Sequence, residues 1–311
     1  MLYVHLPLLS EEVAYLKDEV GDLQLHLAQD HTEAENRTAC EGATVVLGNP
    51  PPPWLLEGNK LRWVQLSSAG FGQYTELAGR ELSFTITNSA GLFGVPVAET
   101  ALAGILALMR GLPALIHDKA QRKWEGTELR PHLSTLSGKR VVVLGTGSIG
   151  GTFRRLLEGF NCAVESMGRH DDADFRGLEE LDARLPAADV VVATLPDTEQ
   201  TRNMFDRRRI ARLSNTCIFV NVGRGSLVDE AALRERLSEG TLGGAVLDVT
   251  RDEPLADDDP LWAAPRTILT QHSGGGAQEE NRKIIDRFLG NYALFREGKP
   301  LEHRVDLHRG Y

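Results

Sequence analysis

Arg224, Glu253 and His272 could together act on one small acid. A guanidinium holds a carboxylate through two parallel hydrogen bonds. An imidazole moves a proton near neutral pH. Arg224 lies in the stretch 221–225, Glu253 in 248–255 and His272 in 270–274. Each stretch follows an apolar run that reads as a buried strand. Taken singly, each residue has an ordinary explanation: a surface arginine, part of an acidic loop, a satisfied core histidine. Taken together they sit just beyond strand ends of one sheet, the edge at which open α/β sheets bind ligands. Their order suits hydride chemistry on a 2-oxo acid.

The same half of the chain carries a phosphate-binding pattern. Gly145, Gly147 and Gly150 complete G-x-G-x-x-G after the apolar run 141–144 and before the helix-like run 151–160. The first glycine permits a tight turn. The second lets the backbone approach a pyrophosphate, and the third lets the helix pack on the strand. The phosphates would rest on the helix's free N–H groups and its positive dipole end. A strand before and a helix after the pattern point to a dinucleotide site, not merely a glycine-rich turn.

An acidic residue about 20 positions further on usually binds the ribose 2′-OH of NAD. Here the strand 163–167 runs into Gly168, Arg169 and His170, and the acidic position holds Gly168. A guanidinium at Arg169 can pair with a 2′-phosphate, which favours NADP(H). Asp171 and Asp172 follow closely and keep NAD(H) open as the alternative.

The elements that must position these residues alternate between strand and helix. Strand-like segments in the first third are 2–6, 23–27, 44–47, 61–66 and 84–87, with a helix start at Ser10, Glu11 and Glu12. The prolines at 50–53 read as a stop. A helical stretch from Val97 to about Ala120 has a weak point at 111–113. Strands at 163–167, 190–195, 217–222, 244–249 and 267–270 follow the glycine-rich strand, with a helix at 230–239 among them. The tail is helical from about Ala277. This is an α/β chain of two doubly wound parallel-sheet domains.

At 311 residues, 41% hydrophobic and 25% charged, the chain has the material for two cores. A formal net charge of −10 argues against a nucleic-acid surface. No basic run suggests a membrane surface, and the apolar run 100–109 is too short to span one. Residues 1–10 lack a basic start, which argues against a signal peptide. Cys40, Cys162 and Cys217 are odd in number and dispersed, as expected of reduced thiols in a cytoplasmic protein. No metal-ligand spacing stands out.

The motifs together resemble the D-isomer-specific 2-hydroxyacid dehydrogenase family, and within it the glyoxylate/hydroxypyruvate reductase-like branch. Ser68 to Gly70, Gly94 with 97–99, the loop 145–150, Leu195 to Thr198, 221–225, 248–255 and His272 carry the resemblance over nearly the whole chain. It implies a Rossmann cofactor domain at 96–275 inserted in a smaller flavodoxin-like substrate domain, 1–95 with 276–311. The active site would lie in the cleft between them, and homodimers would form through the cofactor domain.

Carried over by position, Arg224 would bind the substrate carboxylate and its C2 oxygen. His272 would be the acid/base, and Glu253 would orient its ring. Ala69 and Gly70 would offer backbone N–H groups to the carboxylate. The cofactor would be held by Gly145, Thr146, Gly147, Ser148, Ile149, Gly150, Arg169, His170, Leu195, Pro196 and Thr201. Val222, Gly223, Arg224, Asp248, His272 and Gly274 would complete its site. The resemblance implies reduction of a short 2-oxo acid to the D-2-hydroxy acid, and the reverse oxidation. The family's proline before the histidine is replaced by Gln271. Trp124 would either project toward the site from a dimer arm or pack locally. A second reading is a catalytically weak nucleotide-sensing binding protein of the same fold.

Overall fold

The computed structural model describes residues 1–308, and the chain divides into two compact units, 1–92 with 277–311 and 93–276. Among the described residues no buried side-chain nitrogen or oxygen lacks a hydrogen-bond partner.

The first unit is built on five parallel strands: β1 (Leu2–His5), β2 (Leu25–Leu27), β3 (Val45–Gly48), β4 (Trp63–Gln65) and β5 (Thr85–Thr87). Their order is β2-β1-β3-β4-β5, the flavodoxin-like winding. The helix Glu280–Arg296 buries Ile284, Ile285 and Phe288, and Phe288 stacks on Trp63 with ring centroids 5.0 Å apart. The polar atoms beneath it close on themselves. Trp63 Nε1 donates to Thr87 Oγ1 at 2.8 Å, Thr87 Oγ1 to Gln65 Oε1 at 2.8 Å, and Asn291 Nδ2 to Gln65 Oε1 at 3.1 Å. The prolines at 50–53 do not end the local structure. A helix begins there, Pro52–Glu57, because proline lacks only an N–H that the first helical turn leaves unpaired anyway.

The second unit holds six parallel strands: β6 (Arg140–Leu144), β7 (Ala163–Met167), β8 (Val190–Ala193), β9 (Ile218–Asn221), β10 (Gly244–Leu247) and β11 (Thr267–Leu269). The order across the sheet is β7-β6-β8-β9-β10-β11, and the winding reverses between β6 and β8. An isolated parallel bridge from Met167 to Phe175 begins a further edge outside β7. Helices cover both faces, so the central strands read as unbroken apolar runs.

The helical stretch after residue 93 is two helices, Gly94–Met109 and Leu112–Gln121. They part at Gly111, whose φ of 67° is left-handed. The first lies so close to the sheet that a Cβ on Gly104 would come 2.5 Å from Val246 Cγ1. No single helix among the described residues is long and apolar enough to cross a membrane. These two pass that test together, bent by 66°.

Candidate active site

Loops beyond the carboxyl ends of β6, β8, β9, β10 and β11 carry the candidate residues. The strand order reverses between β6 and β8, so the gap between their loops is where a ligand can enter. Gly145 follows β6 with φ 108°, and a Cβ there would meet Thr194 Oγ1 at 2.6 Å. A Cβ on Gly150 would lie 1.9 Å from the Gly145 carbonyl oxygen, so the helix Ser148–Leu157 reaches the strand only because position 150 has no side chain. A Cβ on Gly147 would meet nothing within 4 Å, and Gly147 and Ser148 are exposed at the helix start. Two glycines thus serve the protein's own packing, and the third keeps an open cradle at a helix N-terminus. That is the arrangement a pyrophosphate requires. Ile149 is partly buried against the core, while Arg169 and His170 are exposed just beyond β7.

Two further glycines draw the substrate-side loops together. A Cβ on Gly223 would lie 2.5 Å from the Leu195 carbonyl oxygen, and one on Gly225 would lie 1.9 Å from the Thr250 carbonyl carbon. The loops after β8, β9 and β10 therefore touch through backbone at the two positions that flank Arg224. Asn221 shapes the turn: its Oδ1 accepts from the Gly223 N–H at 3.1 Å, and its Nδ2 donates to the Arg224 carbonyl at 2.9 Å. Arg224 Nη1 donates to the Gly223 carbonyl at 2.6 Å. Val222 is buried behind the turn. Thr201 is also buried, and its hydroxyl donates to the Pro196 carbonyl at 2.6 Å, which closes the turn after β8. In the same turn Asp197 is held below the usual carboxylate range, chiefly by the hydrogen-bonded fork of Arg202.

The histidine loop is pinned by Asp248, which follows β10 and is 4% exposed. Its Oδ1 accepts from Thr270 Oγ1 at 2.6 Å and from the Gly274 N–H at 2.9 Å, and its carbonyl accepts the His272 N–H. Both Gln271 and His272 are left-handed, with φ of 53° and 55°. Proline fixes φ near −65°, so this loop path excludes the proline that the family pattern places before the histidine. On this path the imidazole meets the β10 loop. His272 Nδ1 is 2.6 Å from Glu253 Oε2, and Glu253 Oε1 accepts the Thr250 N–H at 3.0 Å. The carboxylate thus engages the ring at Nδ1 and not at Nε2. The His272 side chain is half exposed.

Sequence reasoning named Asp248 for the cofactor and did not see its hold on the histidine loop. It also did not single out Asn221, Thr270 or Thr194. Asparagine and threonine beside strand ends are common, and only the tertiary path gives them partners. Ala69 and Gly70 lie in the first unit, after β4, in a loop fastened by Asn88 Nδ2 to the Ala69 carbonyl at 2.6 Å and by Ser68 Oγ to the Gly70 carbonyl at 2.6 Å.

A glycine cradle at a sheet switch point, beside an arginine and a carboxylate-backed histidine, defines a dinucleotide-dependent oxidoreductase of small carbonyl compounds. The family described as D-isomer specific 2-hydroxyacid dehydrogenase, NAD binding domain, matches residues 102–274. The chain is 32% identical over 225 residues to glyoxylate/hydroxypyruvate reductase A of Arabidopsis thaliana, covering 71% of each chain. It is 30% identical to glyoxylate/hydroxypyruvate reductase B of Pectobacterium carotovorum subsp. carotovorum, over 96% of this chain and 98% of that one. Among solved structures it resembles a D-isomer specific 2-hydroxyacid dehydrogenase from Xanthobacter autotrophicus Py2 in complex with NADPH and MES. The TM-score there is 0.82 at 27% identity, over 100% of this chain and 99% of that one. The chain belongs to the D-isomer specific 2-hydroxyacid dehydrogenase family and is an NAD(P)-dependent 2-oxo acid reductase.

Proposed function

We propose that the protein reduces a short 2-oxo acid of the glyoxylate and hydroxypyruvate class, with Arg224, Glu253 and His272 as its chemical residues. The pairing of His272 Nδ1 with Glu253 Oε2 carries this reading. Arg224 binds the substrate carboxylate and stabilises charge on the C2 oxygen. The reduced dinucleotide supplies hydride to C2. His272 Nε2 gives its proton to the C2 oxygen, and Glu253 keeps the ring in the tautomer and orientation that make this possible. Water restores the imidazole proton after product leaves. In the reverse direction Nε2 takes the hydroxyl proton.

NADPH is the favoured reductant in this proposal. The missing side chain at Gly168 and the exposed Arg169 beside it support that preference, as does the NADPH complex of the 27% identical Xanthobacter protein. Gly145 to Gly150, Leu195, Pro196, Val222, Gly223, Asp248 and Gly274 complete the cofactor's surroundings, with His170 and Thr201 at its margins.

A homodimer formed through the second unit belongs to the same reading. Leu112, Leu115, Ile116 and Trp124 are exposed there, and Trp124 is 98% exposed, so it does not pack locally within its own chain. The three unpaired cysteines support a reducing, cytoplasmic setting.

The test is loss of absorbance at the reduced-nicotinamide band, with NADPH and NADH side by side. Glyoxylate, hydroxypyruvate, pyruvate and bulkier 2-oxo acids are the substrates. Turnover of the two short acids with a preference for NADPH is expected. Turnover only on bulky acids would overturn the substrate class, and a preference for NADH would overturn the cofactor assignment.

A further inference from the structure

The end of β7 is where the size of the cofactor can be sensed, because the ribose-binding carboxylate of this motif class stands there. Gly168 comes 18 positions after Gly150 and brings no side chain. None fits. A Cβ at 168 would lie 2.9 Å from the Ala173 Cβ, 2.9 Å from Thr146 Cγ2 and 3.0 Å from Thr146 Oγ1. The space is filled by the loop 169–174, which folds back over the strand end.

That loop is fastened at several points. The Ala173 N–H donates to the His170 carbonyl at 3.2 Å, and the Asp174 N–H to the Ser166 carbonyl at 2.9 Å. Asp174 Oδ2 accepts from the Ser166 N–H at 2.7 Å and from Ser166 Oγ at 2.8 Å, and it pairs with Arg154 at 3.2 Å. Loss of water works to raise the Asp174 pKa. The Ser166 hydrogen bonds and the Arg154 charge outweigh it and hold the carboxyl below its usual range. With the loop fixed in this way, Asp172 Oδ1 accepts from Thr146 Oγ1 at 3.2 Å. Thr146 is the second residue of the glycine pattern. A carboxylate 22 positions past Gly150 therefore reaches the pattern by another route, in place of one at 168.

We propose that Asp172 is the cofactor-discriminating residue, supplying the ribose-binding carboxylate that position 168 cannot hold. It opposes Arg169. A ribose 2′-OH can donate to the Asp172 carboxylate, whereas a 2′-phosphate is repelled by it and attracted by the guanidinium. The balance of the two lets the enzyme accept both cofactors and sets the ratio between them. The neighbouring Asp171 is fully exposed and paired with Arg176, so it serves as the control. The inference rests on the dinucleotide reading but not on which cofactor the wild type prefers.

The test is calorimetric titration of NAD+ and NADP+ into the wild type, Asp172→Asn and Asp171→Asn, alongside kcat/KM for NADH and NADPH. Asparagine keeps the oxygen that accepts from Thr146 and removes only the charge. Asp172→Asn is expected to shift the ratio of the two dissociation constants toward NADP+ by about fivefold or more. Asp171→Asn should leave the ratio within about twofold. An unchanged ratio in Asp172→Asn, or an equal shift in Asp171→Asn, would overturn the assignment. Failure of the wild type to bind either dinucleotide would overturn the cofactor site itself.

Discussion

Glu253 holds His272 by one oxygen and its own loop by the other: Oε2 stands 2.6 Å from His272 Nδ1 while Oε1 takes the Thr250 N–H at 3.0 Å. The carboxylate is thus a bridge between the loops after β10 and β11. Glu253→Gln is expected to lower kcat by about 10²-fold, the cost of a slightly misplaced catalytic group. Dinucleotide affinity should stay near that of the wild type. Steady-state kinetics with a parallel NADP+ titration separates the two effects. A kcat within twofold of wild type would show that the bridge has no catalytic role.

The loops after β9 and β10 meet because Gly225 has no side chain. Gly225→Ala would force a Cβ to within 1.9 Å of the Thr250 carbonyl carbon, so the backbone must part. The expected cost is about 1–3 kcal/mol of stability. Turnover should fall further than stability explains, since Arg224 and Glu253 move apart. Denaturant unfolding and kcat on one preparation check this; wild-type stability would show that the loops adjust freely.

Thr270→Val removes the hydroxyl that donates to the buried Asp248 carboxylate at 2.6 Å while keeping the shape. A hydrogen bond to a charged group contributes about 1.5–3 kcal/mol, and that much stability should be lost. The histidine loop should loosen, which would appear as a lower kcat with little change in the KM for dinucleotide. Unchanged thermal unfolding and unchanged kcat would remove Asp248 from its role in holding the loop.

Acid should weaken the second unit. Arg202 holds the Asp197 carboxyl low. At Asp182, desolvation pushes the other way, and hydrogen bonds from Arg208 and Arg209 prevail. The folded pKa values lie below the unfolded value of about 3.9. The stabilisation is therefore present above that pH and is lost as the pH falls through the folded values. Tm measured from pH 7 to pH 3 should drop below about pH 4. Asp182→Asn should be less stable at neutral pH and show a flatter fall. A Tm independent of pH in that range would contradict the ion-pair account.

Much of this was legible in the chain itself. The central strands of the second unit are apolar runs because helices cover both faces, and the helix break at Gly111 was marked by glycine before proline. The candidates Arg224, Glu253 and His272 stand out because each follows such a run. The helix Pro52–Glu57 was hidden, since proline signals a stop and a first turn equally well. The left-handed pair at Gln271 and His272 was hidden too, because neither residue type announces positive φ. The link from Asp172 to Thr146 depends on a loop path that no local pattern encodes.

The most direct test of the central claim is single-turnover reduction of glyoxylate by pre-bound NADPH, comparing the wild type with His272→Ala. A rate lower by about 10²–10⁴-fold is expected in the variant, the usual contribution of a general acid. A variant that turns over within twofold of the wild type would show that the proton comes from elsewhere.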